Sequence, residues 1–375
     1  MSKAARRLRC CARWALLAKA HISNAGVAEL MKVSHQIKRV SASLRVVNAQ
    51  RTSAHSPGSG PATTTHAVSM ASATNAQRER MDATMLHCFV LMVTTFQLDT
   101  SGPTDDSRIV LFGTHTSLGE ASGQLPDGAY TTFRTYQGSR VLRLRQHVQR
   151  LEESVALLGN PAHLDEAATR RAVAHALRAT AYPESRFRLT FAPPMLFVSI
   201  EPFTPYPPSL YESGVWCVSV SLHRDNPHAK STTFIASAAD AYRALPAGAH
   251  EGLMIGEDGA VLEGLSSNFF AVMPSAAAPE APCVLRTEEA RVLAGVTRAL
   301  VLEVARQVLP VSTEAVAYSD LPRARECFIT SVSREILPVV KVDQLTIGDG
   351  FPGPITRALM QRFRALVERE AEPLL

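Results

Sequence analysis

Four places along the chain carry side chains that could do chemistry rather than only pack. Lys230 lies in HRDNPHAKSTTFIAS, a loop that runs straight into an apolar segment, so its amine can point inward. Stripped of water, a lysine gives up its proton more readily and becomes a nucleophile able to form a Schiff base. Glu263 stands between the apolar runs of LMIGEDGAVLEG and LSSNFFAVM, and a carboxylate kept from water there needs a partner. Gly295-Val296-Thr297-Arg298 opens a strongly periodic helix, and free backbone N–H groups at a helix start suit a phosphate. Arg150 sits at the polar edge of another periodic helix, where a nearby anion would give it a partner. Taken singly, each has an ordinary alternative: a solvated lysine, a hairpin glutamate at a sheet edge, a plain helix start, a surface arginine.

The apolar pattern predicts the elements that must hold these residues. After a mixed stretch to about Asp106, RIVLFG (108–113) reads as a short buried strand closed by glycine. GAYTTFRTYQGSRVLRL holds two β-rich runs around a Gln137-Gly138 turn. Leu144, Val148, Leu151, Val155 and Leu158 then form one helical stripe that stops at Gly159. A second helix is predicted over 165–180, ending before Tyr182-Pro183. RFRLTF, MLFVSIEPF and WCVSVSL read as strands, with a structureless, Pro-rich linker at 206–214. Asp258-Gly259 signals a hairpin, and Val296, Leu300, Val304 and Val308 share one helix face stopped by Pro310. ECFITS and EILPVVKV read as buried strands, and Ile355, Leu359, Phe363 and Val367 as the face of a closing helix. The pattern is α+β in two unequal parts, a smaller domain over 107–205 and a larger one over 215–375.

The formal charge of +5 over 375 residues invites a nucleic-acid reading, but its distribution does not. Residues 1–80 hold thirteen Lys or Arg against Glu29 and Glu79, a net +11, so the remaining 295 residues carry −6. That tail is Arg-rich, Ser-rich and acid-poor, the composition of an organelle transit peptide; the alternatives are a disordered extension or sequence upstream of a start at Met70, Met81 or Met85. The expected location is therefore a plastid or mitochondrial matrix, or the cytoplasm if the tail is not a targeting signal. Apolar runs such as 88–93 fall far short of the ~20 residues that span a bilayer. Six cysteines without CxxC spacing suggest neither a disulfide framework nor a metal site, and a reducing compartment fits.

Several blocks in order, GAYTTFRTYQG, LRQHVQRLEESVALLG, HAKSTTF, GLMIGEDGAVLEGLSSNFFAV, LAGVTRALVLEVA, ITSVSREILPVV and GDGFPGPITRAL, make the chain resemble the fold-type IV pyridoxal-phosphate enzymes. These include the branched-chain and D-amino-acid aminotransferases and the aminodeoxychorismate lyases, and the likeness runs from about Gly113 to the last helix. It implies a two-domain α+β fold with pyridoxal 5'-phosphate between the domains and a homodimer. Carried over by position, Lys230 matches the lysine that holds the cofactor as a Schiff base and shuttles the proton. Glu263 matches the acid beside the pyridine nitrogen, and Arg150 the phosphate-binding arginine of an HxxRL block. Val296 and Thr297 match the helix-start amides on the phosphate, and Ser331-Val332-Ser333 the second phosphate and carboxylate turn. Tyr130, Arg134, Arg186 and Arg188 are candidates for holding the substrate.

The implied activity is ping-pong transfer of an amino group from an amino acid to a 2-oxo acid. The runner-up is a carbon–carbon lyase releasing pyruvate, followed by a cofactor-binding relative without turnover. The sequence departs from the family pattern at Phe234 and Ile235, where many members carry a tyrosine, and at Val332, where many carry a threonine.

Overall fold

The computed structural model describes residues 92–102, 108–275 and 282–375. The basic tail, with its expected targeting role, lies outside the described residues. The first described strands, β1 (Val93–Asp99) and β2 (Ile109–His115), pair antiparallel. Helix α1 (Leu118–Gly123) follows, with Ser117 Oγ accepting from the Glu120 N–H at 3.1 Å. Strands β3 (Ala129–Tyr136) and β4 (Arg140–Val141) flank the expected turn, where Gln137 and Gly138 take φ of 53° and 79°. Helix α2 (Leu144–Leu157) buries Leu144, Val148, Leu151 and Val155, as its stripe predicts, but ends before Leu158, which is exposed, and Gly159 turns the chain at φ 83°. Helix α3 (Glu166–Thr180) starts on Asp165, which accepts from the Ala168 N–H at 2.6 Å. Strands β5 (Ser185–Ala192) and β6 (Met195–Pro202) and the short helix α4 (Pro208–Ser213) complete this part.

The larger part continues with β7 (Val215–Val220), α5 (Thr233–Ala244), β8 (Glu251–Ile255), β9 (Ala260–Gly264) and β10 (Asn268–Met273). Then come β11 (Val284–Arg286), α6 (Val296–Ala305), β12 (Val311–Ser312), β13 (Val316–Ala317) and a 3-10 turn over Tyr318–Arg323. The chain closes with β14 (Glu326–Ser331), β15 (Glu335–Val342), β16 (Leu345–Thr346), α7 (Pro354–Glu370) and β17 (Glu372–Pro373).

Among the described residues the strands form two sheets. One has the order β17-β4-β3-β5-β6-β1-β2 and packs its apolar face on α2 and α3. The other runs β12-β11-β10-β14-β15-β7-β8-β9-β13, with β16 on β15, and returns on itself because β9 also pairs with β10 at Glu263–Asn268. Its faces are covered by two apolar cores, one of which takes in α6 and α7, with Phe270 and Phe328 stacked at 4.9 Å. Helices and strands are thus mixed in the α+β manner that the sequence pattern predicts. Among the described residues, no helix is long and apolar enough to cross a membrane.

Four local expectations are corrected. RIVLFG is not a buried strand: β2 is an edge strand, and Val110, Leu111 and Phe112 are exposed. The stretch before it holds β1, whose threonines blur any period of two; Thr95 is fully buried because it shares a hydrogen bond with Ser199 at 2.9 Å. The Pro-rich segment is not structureless, since Pro208 opens α4 and Leu210 and Tyr211 pack on the second sheet's core. Helix α6 ends at Ala305, and Val308 lies beyond it on the surface.

Gly128 shows how tightly β3 is seated. A Cβ there would collide with the Phe191 carbonyl oxygen, a backbone atom that cannot swing away. Gly128→Ala is expected to destabilise the fold by about 1–3 kcal/mol. The check is the urea unfolding midpoint, and a wild-type midpoint would refute the close approach.

Candidate active site

Lys230 is placed by backbone contacts with the first sheet. Its carbonyl accepts from the Tyr130 N–H at 2.8 Å, and its own N–H donates to Ser154 Oγ on α2 at 3.2 Å. Next door, the Thr232 N–H donates to the Gly128 carbonyl at 2.8 Å, and the Gly128 N–H to Thr232 Oγ1 at 3.0 Å. Loop 223–232, which leaves the second sheet at β7, is thereby stitched to β3. The amine lies 4.7 Å from the centroid of the Tyr130 ring. Burial pulls its pKa down to about 8; Tyr130 opposes the shift, while the Arg150 and Arg224 charges add to it. For Tyr130 itself, burial pushes the phenol up, but Lys230, Arg188, Arg224 and Arg150 together outweigh it and the pKa falls.

Glu263 sits on β9 with its side chain 3% exposed. Oε2 accepts from Asn268 Nδ2 at 3.1 Å and from the Leu293 N–H at 3.3 Å. Oε1 lies 2.9 Å from Arg224 Nε, close enough for an ion pair but not aligned as a hydrogen bond. Burial raises the carboxyl above its usual range, against the pull of Arg224 and Lys230. Arg224, also buried, stacks 3.7 Å from the Phe234 ring centroid, so that ring has a cation as its neighbour. A cavity of about 460 Å³ touches Glu263 and Arg224 but is not lined by Lys230.

Arg150 points from α2 toward the start of α6. Nη2 donates to Thr131 Oγ1 at 2.6 Å and Nη1 to the Ala294 carbonyl at 3.4 Å, while the buried Nε has no partner. Burial lowers its pKa to about 10, against the opposing influence of Tyr130. His147, one turn earlier, shares Thr131 Oγ1 at 2.9 Å. The Thr131 hydroxyl thus links the Arg150 guanidinium to the His147 ring. Burial, with Arg150 and Lys230 nearby, holds His147 neutral. No side chain caps the first turn of α6, which leaves the amides of Val296 and Thr297 available to an anion. Val296, Thr297 and Val332 line one cleft with His147, Phe133 and Arg134.

The four substrate candidates separate. Tyr130 faces the Lys230 amine, and the Arg188 guanidinium lies 5.0 Å from the same ring, held by the Leu118 carbonyl at 2.9 Å and Ser122 Oγ at 2.6 Å. Arg134 is instead paired with Glu335 and stacked on Tyr136. Arg186 is paired with its cross-strand neighbour Glu201. Ser331 ends β14 and accepts from the Arg334 N–H at 3.3 Å, and Ser333 lies half-buried in the turn that follows.

Arg224, Asn268, His147 and Thr131 were not singled out from the sequence. His147 was legible in principle, being three positions from Arg150 on one helix face. Arg224 lies in a Pro-containing loop with no period to mark it as buried.

An inward amine, a buried carboxylate with an unaligned oxygen, and a buried guanidinium with a free Nε beside an uncapped helix start suit a phosphorylated pyridine aldehyde. Residues 128–342 match the family model for amino-transferase class IV. The chain belongs to the class IV aminotransferases, and is a pyridoxal-phosphate-dependent transaminase. A Methanocaldococcus jannaschii protein, provisionally named a branched-chain-amino-acid aminotransferase, is 28% identical over 257 residues, 64% of this chain and 86% of that protein. The D-alanine aminotransferase of Bacillus licheniformis is 27% identical over 251 residues, 62% of this chain and 85% of its own. A T.th. branched-chain amino acid aminotransferase, solved with pyridoxamine 5'-phosphate, shares the fold, with a TM-score of 0.62 at 21% identity over 75% of this chain and 98% of that one.

The depressed Lys230 amine has a direct readout. With the pKa lowered, the neutral nucleophile dominates above pH of about 8 instead of about 10.4. Labelling of the cofactor-free protein with an amine-reactive reagent, followed residue by residue by mass spectrometry, should therefore give Lys230 a midpoint near the lower value. A midpoint at the ordinary lysine value would place the amine in solvent.

Proposed function

We propose that this protein transfers an amino group from an amino acid to a 2-oxo acid with pyridoxal 5'-phosphate held between Lys230 and Glu263. The observation that carries the reading is a lysine amine set against the Tyr130 ring together with a buried Glu263 carboxylate paired to Arg224, whose charge the amine senses. Bound there, pyridoxal phosphate supplies an electron sink for the bond broken at the substrate Cα.

The remaining work falls to the chain. Lys230 anchors the cofactor, and once released its amine takes a proton at the substrate Cα and returns one. Glu263 holds a proton at the ring nitrogen, Arg224 favours its ionised form, and Asn268 with the Leu293 N–H fixes its orientation. Arg150, the Val296 and Thr297 amides, and Ser331 or Ser333 in the turn around Val332 hold the phosphate. Tyr130 and Arg188 take the substrate carboxylate, since Arg134 and Arg186 are already neutralised by Glu335 and Glu201. The Tyr130 ring covers one side of the amine.

The same reading places the cofactor between a smaller domain near 107–205 and a larger one at 215–375, joined by 206–214, with a second copy of the chain closing the pocket. The resemblance to fold-type IV enzymes supports both. The composition of residues 1–80 supports delivery to an organelle matrix.

The test is an amino-donor and keto-acceptor screen with added pyridoxal phosphate. Transfer that depends on the keto acid supports the reading, whereas pyruvate release without an acceptor would replace it with the lyase. Lys230→Ala should remove the visible cofactor absorbance and lower turnover by about 10²–10⁴-fold. An active Lys230→Ala enzyme would rule out the assigned role.

A further inference from the structure

None of the roles above uses Arg334, which follows the Ser331–Ser333 turn. Its side chain is 9% exposed and faces a Glu251 carboxylate that is 0% exposed, with Nη1 3.1 Å from Oε2. Nη1 also donates to Ser266 Oγ at 2.9 Å, Nη2 to the Tyr242 hydroxyl at 3.3 Å, and Nε to His250 Nε2 at 3.2 Å. The carboxylate is satisfied in turn by Ser267 Oγ at 3.0 Å and Ser266 Oγ at 3.2 Å, and Tyr242 and Ser266 share a bond of 2.5 Å. The backbone of Arg334 is held as well, its N–H on Ser331 Oγ and its carbonyl accepting from the Tyr211 hydroxyl at 3.0 Å.

The partners of this one guanidinium are not scattered. Tyr242 lies on α5, which begins three residues after Lys230. Ser266 and Ser267 form the short link between Glu263 on β9 and Asn268, which holds the Glu263 carboxylate. Ser331 opens the turn that Arg334 ends. Gly264 has no room for a side chain, since a Cβ would strike Ser267 Oγ and lie 2.9 Å from Glu251 Cγ. A buried ion pair with all its hydrogen bonds made constrains its surroundings far more than a solvated one, because losing either member leaves the other charged and unpaired.

We propose that Arg334 and Glu251 form a positioning pair that sets the relative placement of the Lys230 segment, the Glu263 strand and the Ser331–Ser333 turn, and through them cofactor affinity. The proposal rests on the site described under Proposed function. It gives Arg334 no contact with cofactor or substrate.

The test uses the full chain loaded with pyridoxal phosphate. Cofactor dissociation constants come from titrating the visible band, and the pH midpoint of that band is read at saturation. R334M should bind the cofactor about tenfold more weakly or worse and move the midpoint by about half a unit or more. E251Q should act in the same direction, and R334M/E251Q should be no worse than R334M alone, because both remove one interaction. Asp165→Ala, which removes the cap of α3 away from these segments, should leave both readouts at wild type although it lowers the unfolding midpoint.

A folded R334M with wild-type affinity and midpoint overturns the pair, and so does an equal loss in Asp165→Ala, which would mark a global effect. If R334M does not fold, R334K decides. It keeps the charge beside Glu251 but not the Tyr242 and His250 contacts, so about threefold weaker binding supports the pair and wild-type values overturn it. A Lys230-dependent band in the wild type together with an unchanged R334M sinks the pair alone. Absence of that band in the wild type sinks the site and the pair with it.

Discussion

Exclusion of water from the Lys230 amine is the constraint on which the rest of this structure depends. An ammonium in solvent is useless as a nucleophile near neutral pH, and only lost hydration or nearby positive charge makes its neutral form accessible. Both are present; Arg224 is the loop's own contribution, and the rest comes from outside it. The Tyr130 ring and the α2 arginine belong to the first sheet and its helix, while the loop leaves the second sheet. The Tyr130 and Ser154 bonds to the Lys230 backbone keep those two sources of perturbation at a fixed distance from the amine.

The electrostatics follow from that closeness. Lys230, Arg188, Arg224 and Arg150 all act on Tyr130, and Glu263 offsets the charge of two of them, Arg224 and Lys230. Such a concentration of positive charge attracts anionic groups. The burial penalty on the Glu263 carboxylate is opposed by Arg224, and two hydrogen bonds satisfy Oε2. Its place is secured by topology, since β9 meets β10 at Glu263–Asn268, where the second sheet returns on itself.

The chain is also tied together outside the Lys230 loop. Strand β17, after the last helix, returns to pair with β4, and Arg134 on β3 forms its ion pair with Glu335 on β15. Such ties matter because a site assembled from both sheets is only as well defined as their relative position.

The sequence by itself determined what periodicity and side-chain type can encode. Helix α2 was legible from its stripe, the 137–138 turn from Gln-Gly, and the second sheet's buried strands from their apolar runs. Lys230, Glu263 and Arg150 could be picked out as residues whose chemistry sits oddly in their local pattern. β1 escaped because its threonines are satisfied by a neighbouring strand, and the exposure of β2 escaped because an edge strand and a central strand can have the same composition. The tertiary structure alone decided which arginines are neutralised, which one stands beside Glu263, and that Arg334 is buried among three distant segments. Charges interact through space at distances of a few ångströms, and the partners of these arginines lie up to 201 residues away in the chain, where no local pattern records them.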